Sequence, residues 1–451
     1  MTPANGESMK PPFPRFPMTS PLLLFASGSG HPLPPYWSVI PFLLTLLGIA
    51  ILPLVAHHRW ESNRFRAGFT WTIAIPTAAW WLWRFDATAL LHAGEEYLAF
   101  ILLLGSLYVA SGGIYIRGSM RGRPATNVGL CLIGSILANF IGTTGASMLL
   151  IRPFLKANAH RSMRSRSIGV IFFIFSVSNI GGCLTPLGDP PLFLGFLRGV
   201  EFQWPFLNLI PDWSVALAVV LSVYFVWDRK LLKGDPAAPP PEASPQRFGL
   251  DGARNGFILL GVIAFVLGKG IFKWPFGIQE AGMGLLAILS LKVTPKAVRA
   301  ANRFTFGPML EVAILFSGIF TTMVPALAIL DVKGSEMGLE APWHFFWATG
   351  LLSSFLDNAP TYLTMATTAV SQTDATAIGE LSLHAPHLLA GISCGAVFMG
   401  ANTYIGNGPN FMVRAIAVEN GVAMPSFFGY MRYSGMILLP IFVVLSFLFF
   451  R

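Results

Sequence analysis

The sequence predicts an all-α polytopic membrane protein, with about ten transmembrane helices and two re-entrant hairpins set out as two inverted repeats. Three observations predict it. Of the 451 residues, 54% are hydrophobic and 11% charged, where a soluble domain carries roughly a quarter charged residues. Lys and Arg fall in short clusters between apolar runs, as in the cytoplasmic loops of a membrane protein. Breaks rich in Gly, Pro and Asn recur in the same order in both halves of the chain. The net charge of +9 therefore marks membrane loops, and no nucleic-acid partner is expected.

In chain order, residues 1–35 read as a disordered tail containing Pro11, Pro12, Pro14, Pro17 and Pro21. Its apolar run at 22–26 is short for the core of a signal peptide. A first transmembrane repeat occupies 36–231, with spans near 37–56, 69–85, 97–116 and 213–226, a hairpin at 124–156 and a broken helix at 168–200. A proline-rich linker at 232–253, GDPAAPPPEASPQ at its centre, reads as cytoplasmic. The second repeat, 254–451, has spans near 256–272, 279–293, 308–330 and 434–450, a hairpin at 341–370 and a broken helix at 388–418.

The hairpins follow from length. Residues 128–141 would form a helix of about 21 Å, too short for a hydrocarbon core of about 30 Å. Arg121 and Arg123 precede this segment and Arg152 and Lys156 follow it, so it enters and leaves on the basic side. Glu340 and Asp374 flank the second hairpin, which therefore enters from the opposite face. Placing every basic cluster in the cytoplasm puts both termini outside, in a bacterial-type inner membrane. Phe140–Gly145 matches Phe355–Pro360 at an offset of 215, and Thr185–Phe193 matches Thr403–Phe411 at an offset of 218. Two matches in one order argue for an internal repeat.

Breaks at membrane depth free N–H and C=O groups, and persist only where they are buried in protein or line a cavity. Pro191, Pro360 and Pro409 suit the first turn of a new half-helix, whose positive end can face an anion while carbonyls face a cation. Two acids lie in the breaks, Asp189 in TPLGDPP and Asp357 in LDNAP. An ionisable group there reads as functional, although Asp357 can also cap the half-helix behind it. Neutral oxygen donors surround them: Asn139, Thr143 and Thr144; Ser178, Asn179 and Thr185; Ser354, Asn358 and Thr361; Asn402, Thr403, Asn407 and Asn410. Hard cations prefer such ligands, so Asp189 and Asp357 are candidates for holding a transported sodium ion. Glu311 is a weaker candidate at a helix start. Gly142 and Asn407 stand where the other repeat has Asp357 and Asp189, so the repeat is chemically asymmetric.

Cys131, Cys183 and Cys394 lie in apolar runs without metal-ligand spacing. Gly391-Ile-Ser-Cys-Gly395 fits the serine-hydrolase pattern but sits in an apolar helical stretch. No enzyme activity is expected, and no resident cofactor; sodium and protons enter only as transported or coupling ions.

On SVSNIGGCLTPLGDPP, SSFLDNAPTYL and ANTYIGNGPN, the chain from about Trp37 onward resembles the ion-transporter superfamily, most closely its sodium/proton-antiporter and citrate-transporter branch. Its dicarboxylate members carry Ser-Asn-Thr triplets at both hairpin tips. Here Ser354, Asn358 and Thr361 spread around Asp357, and Asn139-Phe-Ile-Gly-Thr-Thr144 lacks the triplet. The resemblance implies a homodimer in the bilayer that moves a small inorganic cation or an organic anion. Sodium/proton antiport is the first expectation, since a carboxylate can hold a proton or a cation. Sodium- or proton-coupled uptake of citrate or a dicarboxylate is the second, because two fixed carboxylates repel a polycarboxylate unless neutralised.

Overall fold

Apolar runs of spanning length become helices along the whole computed structural model, which describes residues 33–60, 62–118, 120–236 and 249–451. Most of the tail at 1–35 and the proline-rich centre of the linker lie outside the described residues. The first half forms α1 (Ile40–Val55), a short α2 (His57–Trp60), α3 (Asn63–Arg84), α4 (Thr88–Ser111), α5 (Pro124–Ala157), α6 (Met163–Ser176), α7 (Pro190–Leu197) and α8 (Trp204–Leu232). The second forms α9 (Arg254–Phe272), α10 (Ile278–Val293), α11 (Lys296–Ala301), α12 (Gly307–Lys333), α13 (Pro342–Phe355), α14 (Asn358–Val370), α15 (Ile378–His384), α16 (Pro386–Met399), α17 (Gly408–Glu419) and α18 (Phe427–Phe449). A short antiparallel pair, β1 (Tyr115–Arg117) with β2 (Gly249–Asp251), ties the end of the linker to the first half.

The protein is all-α and polytopic. Among the described residues, eight helices are long and apolar enough to cross a membrane. Two of these, α5 and α6, belong to the expected hairpin and broken helix of the first half, whereas the second broken helix is split into shorter pieces. Of the expected uninterrupted spans, α3 and α10 fall short: α3 carries Arg64, Arg66 and Arg84, and α10 has only 16 residues. Exposed Leu43, Leu44, Leu47 and Ile51 on α1, and Leu285 and Ile288 on α10, suit hydrocarbon as solvent. Helices α1, α3, α4, α9, α10 and α12 pack with one another. A second group consists of α5 to α8 and α13 to α18, and it meets the first mainly through α4 on α5 and α12 on α14.

The breaks decide what this second group can do. In α5 the chain turns at Gly142, with φ 76° and ψ 154°, a region open in practice only to glycine. It then doubles back. A Cβ on Gly134 would lie 3.0 Å from Leu150 Cδ1, although sixteen residues of straight helix span about 24 Å. Between α13 and α14 the extended Leu356 and Asp357 make the second break, and the two arms pack together. The broken helices stop at Ser176 and Met399, pass through one 3₁₀ turn each and restart at Pro190 and Gly408.

Repeat symmetry extends to single bonds. Thr185 Oγ1 donates to Asn139 O at 2.5 Å, and Thr403 Oγ1 donates to Ser354 O at 2.5 Å. A Cβ on Gly188 would stand 2.1 Å from Gly182 O, and one on Gly406 would stand 2.6 Å from Gly400 O. Each loop thus crosses itself backbone to backbone, at residues 218 apart in the two halves.

Candidate functional site

The centre of the site is Asp189, 1% exposed, at the residue before α7. Its side chain does not cap that helix and turns instead toward three donors. Thr143 Oγ1 donates to Oδ1 at 2.7 Å, Asn358 Nδ2 to Oδ2 at 2.5 Å, and Asn407 Nδ2 to Oδ1 at 3.1 Å. Thr143 and Asn358 occupy matching positions at the two hairpin tips, 215 residues apart. Asn407 is the repeat partner of Asp189 itself. One carboxylate therefore collects both hairpins and the other broken helix. Among the described residues, no Lys, Arg or His lies within ion-pair distance of Asp189 or Asp357.

A second ring of amides holds this arrangement. Asn179 Nδ2 donates to Asn410 Oδ1 at 2.7 Å and to Ile174 O at 2.8 Å, so the two broken helices meet at their unwound turns. Asn410 Nδ2 donates to Gly400 O and Thr403 O, both at 2.9 Å. Asn407 Nδ2 also reaches Ser178 O at 3.2 Å and Asn179 Oδ1 at 3.3 Å. The Ser178 hydroxyl bonds that of Ser147 at 2.8 Å. These contacts satisfy backbone groups that no lipid could satisfy.

Not every expected residue reaches the centre. Asn139 donates its side-chain amide to Gly181 O and Ser135 O and accepts from Leu184 N, pinning the first hairpin to its loop. Thr185 and Thr403 bond hairpin carbonyls. Ser354 donates to Gly350 O and accepts from Asn402, and Thr361 donates to Asp357 O of its own turn. Glu311 pairs with Arg66 at 3.0 Å on the wall. Ser393 lies inside α16, without the strand and turn that a hydrolase nucleophile needs.

Asp357 caps α14, accepting from Ala359 N at 3.1 Å. It also lines a cavity of about 470 Å³, together with Thr144 and Asn407. Since the next residue, Asn358, bonds Asp189, the two acids are separated by one layer of amides. Asp357 faces the cavity, and Asp189 is sealed behind Asn407 and the hairpin tips. The cavity runs outward past Met148, Arg152, Met309 and Phe316 to Arg303 and Glu419, an ion pair whose side chains are about half exposed. In the sequence Arg152 marks only the flank of the first hairpin, and Arg303 and Glu419 carry no site signal. Arg152 stands four and eight residues after Met148 and Thr144 on one helix face, a spacing that could have marked it.

The chain matches the family described as "putative citrate transport" over residues 31–450, and it belongs to that family. It is similar to a 46 kDa membrane protein of Mycobacterium leprae, with 26% identity over 349 residues, 72% of this chain and 76% of the relative. Uncharacterized transporters of Mycobacterium bovis and Mycobacterium tuberculosis are each 24% identical over 337 residues, 71% of this chain and 75% of theirs. The protein is a multi-pass membrane transporter.

Proposed function

We propose that this transporter carries a small organic anion of the citrate or dicarboxylate class, coupled to sodium or protons at the Asp189–Asp357 centre. The observation that carries this reading is the separation of the two acids. An organic anion in the cavity meets Asp357 alone, because Asp189 is shielded behind Asn407, Thr143 and Asn358. The electrostatic objection to a polycarboxylate is thereby weakened, since the nearer charge is that of Asp357 and one proton or sodium ion removes it. A volume of about 470 Å³ falls in the range of small-molecule sites and far exceeds the needs of a bare ion. With basic loops in the cytoplasm, the mouth at Arg303 and Glu419 faces inward and both termini lie outside.

Coupling follows from the chemistry of Asp189. As a carboxylate it accepts from the Asn358 amide; once protonated it needs an acceptor on the same side. Asn358 Oδ1 is buried without a hydrogen-bond partner, and turning the amide over presents that oxygen to the new O–H. The pair therefore accommodates both protonation states, and a sodium ion has the same ring of neutral oxygens to use.

Sodium/proton antiport is the second reading, supported by two carboxylates with no cationic partner among the described residues. One experiment separates the two. Membrane vesicles carrying the protein should accumulate labelled citrate or succinate when a sodium or proton gradient is imposed. If neither anion accumulates while added sodium collapses a preformed proton gradient, the anion reading is wrong and antiport takes its place.

A further inference from the structure

Among the described residues, five charged side chains line the cavity: Arg152, Arg303, Glu311, Asp357 and Glu419. Two of the acids are already committed, Glu311 to Arg66 and Glu419 to Arg303. Arg152 is not. No carboxylate of the described residues lies within ion-pair distance of it, and its Nε and Nη1 are buried without any hydrogen-bond partner. Glu419 attracts Arg152 only from beyond ion-pair distance. Two guanidinium nitrogens left unsatisfied in a largely apolar wall are costly, and the fork geometry of the group suits a carboxylate.

Resting on the anion-transport reading above, we propose that Arg152 is a carboxylate-binding residue of the vestibule. It holds the organic anion at the cavity wall until a cation neutralises the floor. Position supports the order of events. Arg152 lies eight residues after Thr144 on the returning arm of α5, about 12 Å along the axis from the hairpin tip. A bound anion therefore stands about two turns outside the hairpin tip, and the charge of Asp357 keeps it from advancing. Met148, Met309 and Phe316 between the two levels offer an apolar bed for a carbon skeleton.

The test is direct binding of radiolabelled citrate and succinate to purified protein by scintillation proximity. Arg152→Gln should weaken binding by about 10- to 100-fold, the usual loss for a charge-assisted hydrogen bond. Arg152→Lys, which keeps the charge but not the fork, should lose less. Wild-type affinity in the Gln variant overturns the site while leaving anion transport intact. Failure of the wild type to bind either anion overturns both. Should the variants not fold, phenylglyoxal labelling of the wild type, read by mass spectrometry, decides the matter. Citrate must slow modification of Arg152, and equal labelling with and without citrate refutes the assignment.

Discussion

Replacing Asp189 in two ways separates its charge from its hydrogen bonds. In Asp189→Asn the remaining oxygen still accepts from Thr143, now 2.7 Å away. The new amide faces Asn358, whose unpartnered Oδ1 can turn to accept from it. The network survives, so stability should stay within about 1 kcal/mol of wild type. In Asp189→Ala the Thr143 hydroxyl and the Asn358 amide both lose their acceptor, whereas Asn407 keeps Ser178 O and Asn179 Oδ1. Two stranded donors at about 1–3 kcal/mol each give a loss of about 2–6 kcal/mol, offset in part by removal of a buried charge. Melting of the purified variants by tryptophan fluorescence reads the stability, and uptake into proteoliposomes reads the coupling. The Asn variant should fold like wild type yet no longer respond to the ion gradient. If it still couples, Asp189 is not the coupling group. If the Ala variant melts with the Asn variant, the hydrogen-bond account is wrong.

Three further tests, two of them with a paired control, probe the scaffold. Gly188→Ala would place a methyl 2.1 Å from Gly182 O and should abolish a folded monodisperse peak in size exclusion; Gly435→Ala on α18, where a methyl meets nothing within 4 Å, should not. Glu96 on α4 accepts from Arg198 Nη2 at 2.9 Å, a buried pair between the two helix groups, and Glu419 pairs with Arg303 at the exposed mouth. Glu96→Gln should therefore cost about 3–5 kcal/mol in melting experiments and Glu419→Gln less than about 1 kcal/mol; equal effects would contradict the burial argument. Burial pushes the Asp235 carboxyl up, but hydrogen bonds from Ser162, Arg161 and Ser165 outweigh it and hold it below the usual range. Its stabilisation is thus present above pH about 4 and lost as pH falls through the lowered value. Asp235→Asn should lower the melting temperature at neutral pH and flatten the acid side of the profile, and an unaltered profile would reject the assignment.

Much of this architecture is written in local signals. Runs of spanning length, basic clusters and paired Gly–Pro–Asn breaks are properties of contiguous residues, so α1, α9, α12 and both breaks could be anticipated within a few positions. The acids were equally legible, because Asp189 and Asp357 are costly at membrane depth. What the chain could not display is partnership across the repeats. Nothing local distinguishes Thr143, which bonds Asp189, from Thr144, which lines the cavity. Likewise Asn139 and Asn358 look alike in sequence, yet one pins a loop and the other meets the carboxylate. Arg152 reads as a loop-flanking charge until tertiary packing turns it into the cavity wall.

The asymmetry of the repeat has an electrostatic cause, and Asn407→Asp tests it. Asn407 Nδ2 lies 3.1 Å from Asp189 Oδ1, 3.2 Å from Ser178 O and 3.3 Å from Asn179 Oδ1. A second carboxylate there would turn three donated bonds into three contacts between acceptors. At that separation two negative charges repel by about 5 kcal/mol even with an effective dielectric of about 20. Both acids cannot stay ionised without a cation between them; one must take a proton or a metal ion must bridge them. The variant should thus be less stable than wild type in sodium-free buffer at neutral pH, and should recover as sodium is added or as pH falls. Its melting temperature should climb with sodium concentration more steeply than that of wild type, with potassium at equal ionic strength as the control. A variant that melts like wild type, indifferent to sodium and pH, would mean that Asp189 and Asn407 are not paired as described. The electrostatic account of why only one of the two matching positions carries an acid would then fail with it.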